Sequence, residues 1–464
     1  MRPFVTPVLW SIILRPFWGF TDYFYIICRG LVVFQLVVIS YNISRILLQV
    51  HFWNYKMWIL IPFFTIINIH TFPIMPWHTI DGLFFLSFSA YYLFERNFFW
   101  ALFFSSIAAA TKQPYFATTF YLLFGIILFR MNFSYKFDYK IIVFLLLIMF
   151  MLYDYHIYEG LFYYKTSKRE NLVELYNAGI KVYLEAIKSW LILLVVVVVS
   201  LIIYYKNKNK NKWFEILVVV LFCISLIVPI FNFILGRDEH NLHRIINLLL
   251  PMFFVREIIR VYKKRNIDFV FYQNLFVLLI IWSSSISWGA NTIFLALPFF
   301  FCLFKINLFS PKSNFILSGI VFLFLILRIF NPYVEKNIFE TNYRKIKNYP
   351  LLSGIYTSSE HLEYLQEAKE ISEKYNKNVL FLPGFPLATI YLEKKNNRAN
   401  WEMDIEYPNI EKDLSLLNDK NLIFVLDKKE IISSEDDFYK SSFTKIVRKN
   451  IEKIDSTTYF YIYK

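Results

Sequence analysis

The amino-acid sequence predicts a polytopic α-helical membrane protein, about twelve transmembrane helices followed by a small C-terminal α/β domain outside the bilayer. Three observations predict it. Of the 464 residues 57% are hydrophobic, and the mean hydropathy is +0.44. Only 18% are Asp, Glu, Lys or Arg, where a soluble chain carries about a quarter. Those charges are clustered, and the apolar runs between them have the length that crosses a bilayer, roughly 15 to 23 residues.

The runs fall at residues 25–47, 57–72, 80–95, 97–111, 114–130, 140–153, 189–205, 213–235, 244–260, 268–287, 291–305 and 313–331, so residues 1–331 form the transmembrane domain. Their orientation follows from Lys and Arg, which gather in cytoplasmic loops. Connections after odd-numbered runs hold Lys56, then Arg96, then Arg130, Lys136 and Lys140, then KNKNKNK at 206–212. Next come Arg256, Arg260, Lys263, Lys264 and Arg265, and finally Lys305 and Lys312. The opposite connections at 73–79 and 288–290 have no Lys or Arg, and 111–114 has only Lys112. Arg237 and Arg244, at 236–243 and beside it, blur the contrast without reversing it. The odd connections are therefore cytoplasmic. Both chain ends, with His78 and Asp81, then face outward from the cell (inner) membrane.

Two hydrophilic segments share that outer side. Residues 154–189 mix charges with apolar residues at helical spacing, which reads as an amphipathic helix on the membrane surface. Residues 332–464 are long enough for a domain with its own core. Within it, 358–375 reads as a helix behind a serine cap, and 378–383, 421–427 and 457–463 read as strands. No internal repeat is present.

The net charge of +14 comes with cytoplasmic Lys and Arg. With no basic stripe or binding motif, nucleic acid is not an expected partner, whereas the lipid bilayer is. Cys28, Cys223 and Cys302 lie within apolar runs, lack metal-site spacing and read as packing residues. The first twenty residues, with prolines at 3, 7 and 16, show neither a signal peptide nor a good spanning helix.

Polar residues on the outer side carry the candidate chemistry. MPWHTIDGLFF at 75–85 places His78 and Asp81 at the edge of an apolar run. Ionisable groups at membrane depth are costly and usually face a polar cavity or a partner. The plainer reading makes Asp81 the cap of a helix beginning at Gly82, with His78 interfacial. ATKQPYF at 110–116 puts Lys112 and Gln113 at an outer helix end, where Lys112 either binds a substrate or snorkels to the interface. LGRDEHNLHRI at 235–245 gathers Arg237, Asp238, Glu239, His240, His243 and Arg244. Asp238, Glu239 and His240 are candidate ligands for a divalent cation, without HExxH spacing; a solvated loop and an arginine anion site are the alternatives. WSSSISWGAN at 282–291 offers hydroxyls and Trp288 to a groove or a sugar, or packs helices through its small residues.

Together these outline an outer cavity for an amphiphilic substrate, with its tail in the bilayer, a phosphate on Lys or Arg, and a sugar in the polar space. A carboxylate there serves as general base.

The order of these features resembles the GT-C-type membrane glycosyltransferases, specifically bacterial relatives of protein O-mannosyltransferases and the lipid A aminoarabinose transferase. The resemblance is carried by TPVLWSIILRPFWGF before FYIICRG, by PWHTIDGLFF, AAATKQP and SSSISWGANTIFLALP. In the tail it is carried by LSGIYTSSEHLEYLQEAKEI and VLFLPGFPLATIYL. It implies transfer of a sugar from a polyprenyl-phosphate donor to an extracytoplasmic acceptor, whether lipid A, a glycan or a protein. The sequence points to no resident cofactor beyond the candidate divalent cation at 238–240. Asp81 matches an acidic residue at the start of a membrane segment, and Lys112 a lysine in a Lys-Gly-Pro-like turn that here reads Lys-Gln-Pro. Such enzymes begin with a helix and an acidic outer loop, so the chain is expected to extend upstream of Met1. Asp22 is not a substitute for that loop. Competing readings are a surface-polysaccharide polymerase or ligase and an inactive glycolipid-binding relative. A transporter would show repeated halves or paired broken helices, and neither is found.

Overall fold

The computed structural model describes residues 24–71, 77–133, 249–286, 296–303, 342–347, 349, 352, 354–375, 378–382, 418–419, 421–428 and 447–464, with single helical positions between 180 and 202. They belong to two compact units, one helical and one of mixed α and β structure. The expected segments at 140–153, 213–235 and 313–331, nearly all of 154–205, and residues 1–23 lie outside the described residues.

The helical unit contains α1 (Phe24–Leu48), α2 (Met57–Thr71), α3 (His78–Phe94), α4 (Phe98–Thr111), α5 (Phe116–Phe133), α6 (Leu249–Lys264), α7 (Phe269–Ser285) and α8 (Leu297–Leu303). Within α1, Ile26–Leu48 is the one helix among the described residues long and apolar enough to cross a membrane. Met57–Asn68, Phe98–Thr111, Phe116–Gly125 and Phe269–Ser285 are shorter apolar helices. Side-chain caps start two of the helices: Asn97 accepts from the Trp100 amide and Asp268 from the Phe271 amide. Left-handed residues follow three of them, Gln49 after α1, Arg96 after α3 and Arg265 after α6, with φ of 53°, 59° and 49°.

Small residues let these helices approach closely. The Ser89 hydroxyl of α3 donates to the Ala101 carbonyl of α4 at 2.6 Å, and Ser105 of α4 bonds Thr118 and Thr119 of α5 at 3.0 Å each. Tyr121 and Tyr272 clasp α5 to α7. Their rings stack at 4.7 Å, and each hydroxyl donates to a carbonyl on the other helix, Tyr121 to Tyr272 at 3.1 Å and Tyr272 to Leu122 at 3.0 Å. A Cβ at position 125 would stand 1.9 Å from the Tyr272 ring, so only glycine admits the clasp. A polar seam joins α1 to its neighbours. Gln35 bonds Asp81 at 2.8 Å, Asn42 bonds Ser87 at 3.0 Å, and Thr65 of α2 bonds Ser40 at 3.0 Å. Further along, the Arg45 guanidinium bonds the Tyr91 hydroxyl and lies 3.6 Å from its ring centroid.

Helix α6 buries three of its five charges and exposes the other two, Lys263 and Lys264, in its last turn. Phe254, Val255, Ile258 and Tyr262 form one stripe and are exposed, whereas Arg256, Glu257 and Arg260 form the opposite stripe and are buried. Glu257 holds Arg256 at 2.8 Å and Arg260 at 2.8 Å. Arg256 also donates to the Leu303 carbonyl of α8 at 2.9 Å, and Arg260 to Asp268 ahead of α7 at 2.9 Å.

In the second unit, β3 (Asn378–Leu382), β4 (Leu422–Asp427), β5 (Lys453–Ser456) and β6 (Phe460–Tyr463) form a sheet in the order β3-β4-β6-β5. Strands β3 and β4 run parallel, and the other neighbours are antiparallel. A separate antiparallel pair joins β1 (Tyr343–Lys345) to β2 (Tyr356–Ser358). Alternation sends Val379, Phe381, Ile423 and Val425 to one face with Ala368 and Ile371 of α9 (Ser359–Lys374), and Leu380, Leu382, Phe424 and Leu426 to the other. The Ser358 side chain caps α9 by accepting from the His361 amide at 3.2 Å. A hydrogen bond from the Lys374 ammonium at 2.6 Å ties α9 to β5 and holds the Asp455 carboxyl down at about 2. The strand expected over 457–463 is shorter, Phe460–Tyr463, because Thr457 accepts from the Phe460 amide in the turn before it.

Removing the carboxylate of Glu257 would strand two buried guanidinium groups. Glu257→Ala is therefore expected to lose about 3–5 kcal/mol of stability. A thermal melt of the purified protein followed by tryptophan fluorescence reads this, and an unchanged midpoint would mean that the arginines find other partners.

Candidate functional site at the start of helix α3

Helix α3 begins at His78. Trp77 precedes it in extended conformation (φ −145°, ψ 130°) and gives no side-chain cap bond. The Ile80 and Asp81 amides donate to the Trp77 carbonyl at 2.9 and 3.1 Å, so Asp81 stands inside the first turn. The reading of Asp81 as the cap of a helix starting at Gly82 is thereby corrected. Its place in the first turn still suits the positive end of the helix dipole.

Asp81 is 0% exposed. The Gln35 carboxamide of α1 donates from Nε2 to Asp81 Oδ1 at 2.8 Å. On the adjoining side the Tyr115 ring lies flat against Gly82, where a Cβ would come within 2.0 Å of Tyr115 Cε2 and 2.7 Å of Thr111 Oγ1. The Tyr115 hydroxyl donates to the Thr79 carbonyl at 3.1 Å. Glycine at 82 is thus what lets the tyrosine reach α3.

Lys112 follows α4 in extended conformation, and the 3₁₀ turn Gln113–Tyr115 brings the chain round into α5. Its side chain is buried, with the residue 5% exposed, and Nζ donates to the Ser284 carbonyl at 3.0 Å. That carbonyl belongs to the last turn of α7, where helix carbonyls have no amide of their own helix to accept from and the dipole favours a cation. Lys112 Nζ also lies 5.6 Å from the Tyr115 ring centroid. Lys112 therefore turns inward and does not snorkel.

Segments read separately in the sequence converge here. PWHTID supplies Asp81 and His78, ATKQP supplies Lys112, and WSSSIS supplies the Ser284 carbonyl. His78 is half-buried, packs edge-on to Trp77 with ring centroids 6.2 Å apart, and shares a helical face with Asp81 three residues on. Gln113 contributes backbone to the 3₁₀ turn. Arg237, Asp238, Glu239, His240, His243 and Trp288 lie outside the described residues, so the candidate metal and anion loop has no geometry to report. Among the described residues no group of three metal-ligating side chains exists.

Sequence reasoning missed Gln35 and Tyr115. Gln35 carries a faint signal, a lone polar side chain in LVVFQLVV, which needs a polar partner when such an apolar run is buried. The arrangement is a carboxylate fixed by an amide, an ammonium just past the end of a neighbouring helix, and an imidazole at the first position of the carboxylate's own helix. It has the components to accept a proton and to hold an anion.

Gly82→Ala forces the new methyl into Tyr115 and Thr111. Overpacking of this kind costs about 1–3 kcal/mol. The variant is expected to melt earlier than wild type, with a second substitution, Tyr115→Leu, relieving part of the loss. An equal or greater loss in the double variant would contradict the assigned contact.

No protein-family model, no curated protein and no solved structure matches the chain.

Proposed function

We propose that the chain is a membrane glycosyltransferase that moves a sugar from a polyprenyl-phosphate donor to an extracytoplasmic acceptor, with Asp81 as general base. The observation that carries this reading is a fully buried carboxylate in an apolar bundle, held by Gln35 at 2.8 Å one turn after His78, on a helix against which Thr111 and Tyr115, the neighbours of Lys112, pack at Gly82. Buried ionisable groups in such surroundings are expensive and tend to mark substrate or ion pathways. The resemblance of PWHTIDGLFF, AAATKQP and SSSISWGAN to the GT-C enzymes supports the same reading.

A bilayer as the surrounding medium is supported by α6, which buries Arg256, Glu257 and Arg260 ahead of the exposed Lys263 and Lys264 of its last turn and whose apolar stripe faces out. In water that arrangement would be inverted. Exposed Phe34, Trp58, Phe120 and Phe124 on α1, α2 and α5 point the same way, as do Val195, Val198, Val199 and Ile202 at helical spacing. The Lys and Arg bias of the loops gives the orientation, with the start of α3 outward.

In the proposed reaction the acceptor hydroxyl gives its proton to Asp81 while its oxygen bonds the anomeric carbon of the sugar. The bond from that carbon to the phosphate oxygen breaks, and polyprenyl phosphate leaves with the electron pair. One displacement inverts the anomeric centre. Lys112 has three N–H donors and spends one on Ser284, so the others remain to hold the phosphate.

The complete burial of Asp81 favours one further reading, in which Asp81 and Gln35 form only a polar key between α1 and α3 in a glycolipid-binding protein without catalysis. Asp81→Asn separates the two. In membranes matched for protein level, transfer of label from polyprenyl-phosphate sugars is expected to fall at least about 100-fold. Near-normal transfer would leave Asp81 a structural residue.

A further inference from the structure

We infer that Gln35 is a specificity residue, which orients Asp81 and selects a glycan acceptor with neighbouring hydroxyls; the inference rests on the glycosyltransferase reading above. Three observations lead to it. Gln35 is 6% exposed in the middle of α1, and Nε2 donates to Asp81 Oδ1 at 2.8 Å. In its proposed role as base Asp81 accepts hydrogen bonds, and the NH2 group of the carboxamide is the end that faces it. The other end, Oε1, is then buried without a hydrogen-bond partner among the described residues.

A buried carbonyl oxygen left unmet costs free energy, so a donor belongs beside it. Oε1 and Nε2 share one carbon, so Oε1 lies on the flank of the same carboxylate. A hydroxyl at Asp81 that gives up its proton has its own neighbour, on the next carbon of a sugar ring, within reach of Oε1. A serine or threonine of a protein acceptor has no such second hydroxyl. Gln35 thus presents an acceptor oxygen next to the base, and the pair matches a vicinal diol. The proton that moves in the reaction goes to Asp81; the second hydroxyl donates a hydrogen bond to Gln35 and keeps its proton. A water molecule on Oε1 is the competing occupant.

The test uses membranes carrying the full chain, supplied with lipid-linked sugars labelled from 14C-glucose, with label followed into glycan, lipid A and protein fractions. The acceptor probe is the envelope glycan fraction, untreated or oxidised with periodate, which cleaves vicinal diols and spares internal serine and threonine hydroxyls. Asp81-dependent label is expected in the untreated glycan and is expected to be lost after periodate. Gln35→Leu, which loses both ends of the carboxamide, is expected to lower kcat and also to raise the apparent KM for that glycan about tenfold, the effect of one hydrogen bond, with the donor KM unchanged. Gln35→Glu, which keeps an acceptor oxygen but loses the donor toward Asp81, is expected to lower kcat and leave the glycan KM near wild type. Asp81-dependent label in the protein fraction, or label that survives periodate, would overturn the inference and leave the transferase standing. A Gln35→Leu enzyme with the wild-type glycan KM would also overturn it, and assign Oε1 to water. If no fraction takes up Asp81-dependent label, the glycosyltransferase reading fails with it.

Discussion

A charge inside an apolar helix bundle has to be met by a fixed partner, because neither water nor hydrocarbon side chains will stabilise it there. That requirement organises the helical unit. Asp81 is met by Gln35, which ties α3 to α1. Lys112 is met by the Ser284 carbonyl, which ties the end of α4 to the end of α7. Glu257 is met by Arg256 and Arg260, whose other donors reach Leu303 and Asp268, so that one carboxylate braces α6 against α8 and the start of α7. Each pairing is directional, and together they set the positions of helices that apolar packing alone would leave free to rotate.

Small residues make those pairings geometrically available. Gly82 opens the surface of α3 to the Tyr115 ring, and Gly125 opens α5 to Tyr272. Ser89 and Ser105 bring α4 within hydrogen-bond range of α3 and α5. The candidate site is therefore built from the same devices as the fold. Its carboxylate, amide and ammonium are held by elements far apart in the chain.

Local features were readable in the sequence wherever the cause was local. The Ser358 cap of α9, the apolar run Leu422–Leu426 of β4 and the apolar runs that are helical among the described residues all depend on neighbours within a few positions. The start of α3 was not readable. Trp77 offers no capping side chain, whereas Asp81 has one and points to a helix from Gly82, although it lies within the first turn. The partners of the site were hidden by distance. Gln35 lies 46 positions from Asp81, and Ser284 lies 172 positions from Lys112, so pattern alone carries no information on either contact. Strands β1 and β5 are short and mostly exposed, YRK and KIDS, and show no alternation to read.

The measurement that bears most directly on the account is photo-cross-linking with a polyprenyl-phosphate sugar that carries a diazirine on the sugar ring, followed by mapping of the labelled peptides. The account predicts label in the segments that meet at the start of α3, namely residues 77–82, 111–115 and 283–286. Label concentrated instead at the other end of α3, around Arg45, Tyr91 and Glu95, would contradict it.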